Sequence, residues 1–127
     1  MAGSKPGVAV VTGAAGGMGS FIARRLHADG HRVLLTDRSS GATDELATAL
    51  SPDGSTARAM VLDVAHRRSF VDALASCTEL WGVPTILVNN AARTESADLM
   101  TIDQDAFGAV LSTNVNSVFF GCQVFGE

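Results

Sequence analysis

The chain has 127 residues, of which 46% are hydrophobic and 17% charged, and its net charge is −4. That length supports one domain with its own core and not two. The shortage of positive charge gives no support to a nucleic-acid or anionic-membrane partner, since both recruit a clustered basic face.

The opening residues, MAGSKPG, lead into a strand-like run of only five residues. A secretory signal needs a longer apolar stretch and a membrane span a much longer one, so the expectation is a cytoplasmic protein. Gly7 to Thr12 (GVAVVT) reads as a continuous apolar strand, the kind found in a sheet covered on both faces. Gly17 to Asp29 reads as a helix with Met18, Ile22 and Leu26 on one side, closed by Gly30. Arg32 to Thr36 is the second predicted strand, followed by a helix from about Ala42 to Leu50 that ends at the turn signal Ser51-Pro52-Asp53-Gly54. Arg58 to Leu62 is the third strand. The next helix, Arg67 to Leu80, carries a stripe of Phe70, Leu74 and Cys77 continued by Trp81. Thr85 to Asn89 is the fourth strand, and Asp103 to about Phe125 one long helix with Phe107, Leu111, Val115 and Val118 along it.

Strands of about five residues alternating with helices of ten or more require crossover connections between parallel strands. The fold class is therefore α/β, a doubly wound parallel sheet of the Rossmann type. Pro6, Pro52 and Pro84 lie far apart, and no linker or internal repeat divides the chain, so it reads as a single domain. Arg24–Arg25 and Arg67–Arg68 are expected on solvated helix faces. Cys77 and Cys122, without C-x-x-C spacing, are expected to be reduced, buried and inert. His27, His31 and His66 lack metal-ligand spacing and are read as surface residues, so no metal is assigned.

Between the first strand and first helix stands Thr12-Gly13-Ala14-Ala15-Gly16-Gly17-Met18-Gly19. Glycines in that position let the chain turn tightly, bring N–H groups close to an anion and let the helix approach the strand. The helix start can then hold a diphosphate. No Gly-Lys-Ser/Thr follows, which excludes a Walker-type loop. Asp37 ends the second strand eighteen residues after Gly19, and its carboxylate can accept from both hydroxyls of an adenosine ribose. Such charge-assisted bonds are worth about 1.5–3 kcal/mol. A 2′-phosphate would instead meet like charge, at a cost on the order of 4 kcal/mol for an effective dielectric of 20. The expected cofactor is NAD rather than NADP, although Arg38 could pair with a 2′-phosphate if Asp37 swung aside.

Taken together, these segments resemble the classical short-chain dehydrogenase/reductase family. Thr12, Gly13, Gly17 and Gly19 fit its T-G-x-x-x-G-x-G motif, with Met18 inside it, and glycine at position 16 also fits the spacing of the extended branch. Leu87-Val88-Asn89-Asn90-Ala91-Ala92 is similar to the classical N-N-A-G, with Ala92 where that family has glycine. The resemblance implies a strand order beginning 3-2-1-4. It implies that Asn90 and Ala91, with Asn89, support the central strand and line the adenosine side, and that Asp63 and Val64 contact the adenine. Asn114, in Ser112-Thr113-Asn114-Val115-Asn116, sits badly in an apolar helix and needs a partner. Its chemistry allows a core amide satisfied by backbone. The resemblance implies the catalytic Asn, whose helix kink holds a water in a proton relay, and Asn116 is read as structural.

The same resemblance implies alcohol/carbonyl interconversion by hydride transfer on a small-molecule substrate, and a homo-oligomer in the full-length form. Its chemistry also calls for a Tyr with a Lys three residues on, and an upstream Ser. This chain has no tyrosine, and its lysine is Lys5, ahead of the first strand. General acid–base assistance is worth about 10²–10⁴ in rate. The chain is therefore expected to be a truncated, cofactor-binding front part, inactive alone, with its fourth strand an exposed sheet edge and an apolar patch uncovered. The alternative is a non-catalytic dinucleotide-binding or interaction module that ends at this length.

Overall fold

Four short runs of β-branched and aliphatic residues form the sheet of the computed structural model, which describes residues 5–127. Residues 1–4, at the head of the segment read as carrying no secretory signal, lie outside that range. The elements in chain order are β1 (Val8–Val11), α1 (Gly17–Ala28), β2 (Arg32–Asp37), α2 (Gly41–Leu50), β3 (Ala57–Val61), α3 (Arg67–Trp81), β4 (Ile86–Val88), α4 (Gln104–Leu111) and α5 (Ser117–Phe125). A five-residue π-turn, Ser112–Asn116, joins the last two helices.

All strand pairings are parallel, and the order is β3-β2-β1-β4. Val8 pairs with Arg32, Ala9 with Ile86 and Val33 with Ala57. Because β1 is flanked by β2 on one side and β4 on the other, the chain crosses over the sheet between β3 and β4. The connections leaving β1 and β4 therefore part at their C-terminal ends and open a crevice there.

The alternation of side chains along each strand feeds two cores. Val8, Val10 and Leu34 face α3 and α5, meeting Phe70, Ala73, Cys77 and Val124. Val11, Val33 and Leu35 face α1 and α2, meeting Ala23, Leu46 and Ala47. Phe70, Leu34 and Leu35 are fully buried, each such side chain contributing about 1.5–3 kcal/mol. The α3 stripe falls as read, with Phe70 and Cys77 buried and Leu74 and Trp81 packed at its edge. Gly30 closes α1 at φ 95°, a left-handed position that suits glycine. Arg25 pairs with Asp29 and Arg68 with Asp72 along exposed helix faces. The turn after α2 is built on Asp53, whose carboxyl is held below the usual carboxylate range by the Ser55 N–H, then by the Ser55 and Ser51 hydroxyls.

Four expectations are corrected. Met18 is 73% exposed, because α1 backs onto the glycine turn through Gly19 and buries Gly19 and Ala23 instead. The last helix is interrupted at Ser112–Asn116, and Phe107, Leu111, Val115 and Val118 are exposed. Its inward side is the small one, Ser117, Gly121 and Val124. At Gly121 a Cβ would lie 2.7 Å from Asn89 Oδ1 and 3.3 Å from Phe70, so only glycine permits that approach. Cys122 is exposed, whereas Cys77 is buried as read. His27 and His31 are half-buried and bonded, His27 Nε2 to Thr56 Oγ1 at 2.9 Å and His31 Nδ1 accepting from the Gly7 N–H at 2.9 Å; His66 alone is exposed.

β4 stands at the sheet edge with Ile86, Leu87 and Val88 half-buried. Among the described residues no helix is long and apolar enough to cross a membrane.

Candidate functional site

The crevice at the C-terminal ends of the strands is a cleft of about 500 Å³. Its floor is the turn that links β1 to α1. Gly13 sits at φ 65° and its carbonyl accepts from Gly16 N–H at 3.2 Å. A Cβ on Gly13 would lie 2.8 Å from Ala91 Cα; one on Gly19 would collide with the Gly13 carbonyl and stand 2.6 Å from Asn90 Nδ2. Both glycines are thus required for close packing of backbone on backbone. Gly17 differs: a Cβ there would meet nothing within 4 Å. The start of α1 has no side-chain cap and no acidic residue in its first turn. Its first N–H groups have no partner within the helix, and they face the cleft with the positive end of the helix dipole.

Asp37, half-buried at the end of β2, reaches this turn. Its Oδ2 accepts from the Ala15 N–H at 3.0 Å and its Oδ1 from the Arg38 N–H at 2.7 Å. The two segments are also tied by Ala14 N–H to the Thr36 carbonyl at 2.9 Å. Arg38 lines the same end of the cleft, exposed and without an ion pair among the described residues. Beyond them Leu62 and Val64, at the end of β3, form an apolar wall.

On the other side of β1 the walls come from Asn90, Ala91, Ala92, Arg93 and Thr113. They are held by Thr12, 2% exposed, whose hydroxyl accepts from Asn90 N–H and Ala91 N–H at 3.0 Å each and donates to the Val88 carbonyl at 3.2 Å. That uses the full capacity of one hydroxyl. Asn90 Nδ2 in turn donates to the Thr12 and Gly13 carbonyls, both at 3.1 Å. Ala92 keeps an ordinary negative φ, so the methyl that replaces hydrogen at this position strains nothing.

Of the residues singled out from sequence, Gly13, Gly17, Met18, Gly19, Asp37, Arg38, Val64, Asn90 and Ala91 all line the one cleft. Four lie back from it. Asn89 is turned to α5, where its Nδ2 lies 3.9 Å from Cys122 Sγ. Thr12 is the buried tie just described. Asp63 turns its Oδ1 onto the Ala65 N–H at 3.0 Å and its Oδ2 toward His66 Nε2 at 3.6 Å. Asn114 bonds the backbone of Arg93 through both ends of its amide, at 2.7 and 2.8 Å. It stands in the π-turn, a bulge in the helical ladder of a kind found at functional sites more than elsewhere. Leu62 and Thr113 are lining residues that patterning missed, whereas Arg93 opens the stretch Arg93 to Met100 expected to border a substrate pocket. The only signal for the first two was adjacency to motif residues.

The unpaired N–H groups at the helix start fit a diphosphate, the acid at Asp37 fits a sugar diol, and the Leu62–Val64 wall fits a flat ring. Among the described residues no three His, Cys, Asp or Glu side chains are grouped to hold a metal ion.

The chain is similar to known proteins in sequence and in fold. The chain is 35% identical over 112 residues to a 3-oxoacyl-[acyl-carrier-protein] reductase of Pseudomonas aeruginosa, covering 88% of this chain and 45% of that protein. It is 33% identical over 112 residues to gluconate 5-dehydrogenase of Gluconobacter oxydans, covering 88% and 44%. A crystal structure of a short chain dehydrogenase/reductase from Burkholderia phymatum in complex with NAD superposes with a TM-score of 0.90 at 26% identity, over 96% of this chain and 43% of that one. The chain therefore spans less than half the length of these relatives. The family model for short chain dehydrogenase matches residues 7–126, and the chain belongs to that family.

Proposed function

We propose that the cleft binds NAD in preference to NADP, and that these 127 residues are the dinucleotide-binding domain of an oxidoreductase acting on a small-molecule alcohol or carbonyl. The observation that carries the cofactor choice is the Asp37 carboxylate, 3.0 Å from the Ala15 N–H of the glycine turn. A sugar laid beside a diphosphate on that turn meets an acceptor for its hydroxyls. A 2′-phosphate in the same place meets a like charge, at a cost on the order of 4 kcal/mol for an effective dielectric of 20.

In this reading the turn from Gly13 to Gly19, with Met18 over it, holds the diphosphate, and Asp37 holds the ribose with Arg38 beside it. Val64 and Asp63 flank the adenine, Asp63 after releasing its bond to Ala65, and Asn90 and Ala91 shape the adenosine side. Thr12 keeps the two strand ends together. Asn114 holds the reactive end of the cleft through Arg93. The nicotinamide supplies or accepts the hydride when bound.

Calorimetric titration of the chain with NAD and NADP tests the proposal. NAD is expected to bind at least about tenfold tighter, and Asp37→Ala to weaken NAD more than NADP, by about 1.5–3 kcal/mol. Tighter binding of NADP by the unmodified chain would overturn the cofactor choice.

A further inference from the structure

Arg93 places a charged side chain at the end of the cleft opposite Asp37, where the dinucleotide reading gives it no task. The strand order sets its position. Asp37 and Val64 follow β2 and β3, the glycine turn follows β1, and Arg93 follows β4 on the far side of β1. A dinucleotide with its diphosphate on the turn and one sugar at Asp37 extends its other half toward Arg93.

The backbone of Arg93 is held on both sides. Its N–H donates to Asn114 Oδ1 at 2.7 Å and its carbonyl accepts from Asn114 Nδ2 at 2.8 Å. The root of the side chain is thus fixed to the π-turn, while the side chain itself is 42% exposed. A guanidinium carries five N–H donors. Its one ion pair among the described residues is a single Nη2–Oε2 contact with Glu95 at 3.5 Å. Charge-assisted bonds usually measure about 2.7–2.9 Å, and a loose pair between half-exposed side chains holds little free energy. Most of the fork is free for a ligand. The other charged residues lining the cleft, Asp37 and Arg38, lie at its opposite end.

Resting on the reading of the cleft as a dinucleotide site, we infer that Arg93 recognises a carboxylate on the small molecule that shares the cleft with the dinucleotide. The planar guanidinium matches a carboxylate with two parallel N–H bonds. The substrate class is then carbonyl or hydroxyl compounds bearing a carboxylate, with Glu95 as the counter-ion that the carboxylate displaces.

Oxalate and its uncharged counterpart oxamide test this, titrated into the chain saturated with NADH and followed by the ¹⁵N amide shifts of Arg93, Glu95 and Asn114. Oxalate is expected to saturate and oxamide not. Arg93→Gln should weaken oxalate by about tenfold or more, equivalent to about 1.4 kcal/mol. Glu95→Gln should tighten it by about two- to threefold, an opposite change that misfolding cannot produce. Equal binding of oxalate by Arg93→Gln, no saturable binding by the unmodified chain, or no tightening in Glu95→Gln would overturn the inference. So would a tenfold loss of NADH affinity in Arg93→Gln, which would put the arginine on the dinucleotide. If NADH fails to bind the unmodified chain, the cofactor reading fails and the inference with it; if NADH binds and oxalate does not, the inference alone fails.

Discussion

Asn114 and Arg93, 21 positions apart, are joined by two hydrogen bonds that use both ends of one amide. The pair fastens the segment following β4 to the π-turn between α4 and α5, so the far wall of the cleft cannot move independently of that turn. Two such bonds contribute about 1–3 kcal/mol net, and Asn114→Ala should lose that much. Asn114→Asp keeps the acceptor but sets a carboxylate oxygen against the Arg93 carbonyl, so at neutral pH it should destabilise at least as much. Thermal unfolding reads both, at about 3–6 °C per kcal/mol for a chain of this size. An unchanged midpoint in Asn114→Ala would show that the pair is not formed.

Thr12 sets a second test. Its hydroxyl is the shared acceptor for the N–H groups of Asn90 and Ala91. Thr12→Val preserves shape and leaves the Ala91 N–H without its acceptor, while the Asn90 N–H keeps the Val88 carbonyl at 3.1 Å, which should cost about 1–3 kcal/mol. Thr12→Ser removes only a methyl and should cost about 1 kcal/mol. Urea denaturation midpoints give the comparison, and equal losses in the two variants would remove the hydroxyl from the account.

Glycines that look alike in the turn should behave oppositely. Gly19→Ala drives a methyl into the Gly13 carbonyl and Asn90, so the variant should unfold or distort the turn, losing about 1–3 kcal/mol or more. Gly17→Ala meets nothing within 4 Å and removes backbone freedom from the unfolded chain, so stability should hold or rise by about 0.4–1 kcal/mol. Because that methyl stands where the diphosphate is proposed to sit, dinucleotide affinity should nevertheless fall. Circular dichroism melts paired with calorimetry separate the two effects.

The two cysteines differ in reactivity for a physical reason. Burial pushes the Cys77 thiol up to about 11, whereas Cys122 is exposed. A thiol-specific disulfide reagent at pH 8 should consume one thiol per native chain quickly and the second only on denaturation; Cys122→Ser should abolish the fast phase. The sign of the pH effect follows. Below the ordinary value of 9.0 Cys77 is neutral whether folded or not. Between that value and about 11 the unfolded chain releases a proton that the folded chain keeps, so stability falls as pH rises through that window. A fast phase of two thiols would contradict the burial of Cys77.

How far the fold was legible depends on which physical signal each residue carries. Val8–Val11 reads as a strand because a central strand buries both of its faces, and the interruption at Gly30 reads as a helix end because its φ of 95° suits no other residue as well. The approach of Asp37 to the glycine turn, across 22 positions, was also within reach, since strand pairing places the ends of β1 and β2 side by side. Periodicity failed where a helix has two apolar sides. It marks Phe107, Leu111, Val115 and Val118 as a stripe, but the side chosen for close packing is Ser117, Gly121 and Val124, fixed by steric room beside Asn89 and Phe70. Met18 is exposed for the same reason, the inward position in the first turn being Gly19. The bonds between Asn114 and Arg93 carry no local signature, because a polar residue in an apolar helix announces that it needs a partner without naming it.

Amide-resolved titration of ¹⁵N-labelled chain with NAD tests most directly where the ligand sits. The N–H signals of Ala15, Gly16, Gly17 and Met18 are expected to shift and saturate together with those of Asp37 and Arg38, while those at the opposite ends of the strands, such as Arg32 and Arg58, stay in place. Saturating shifts confined to another face of the protein, or none in the turn at millimolar NAD, would contradict this placement.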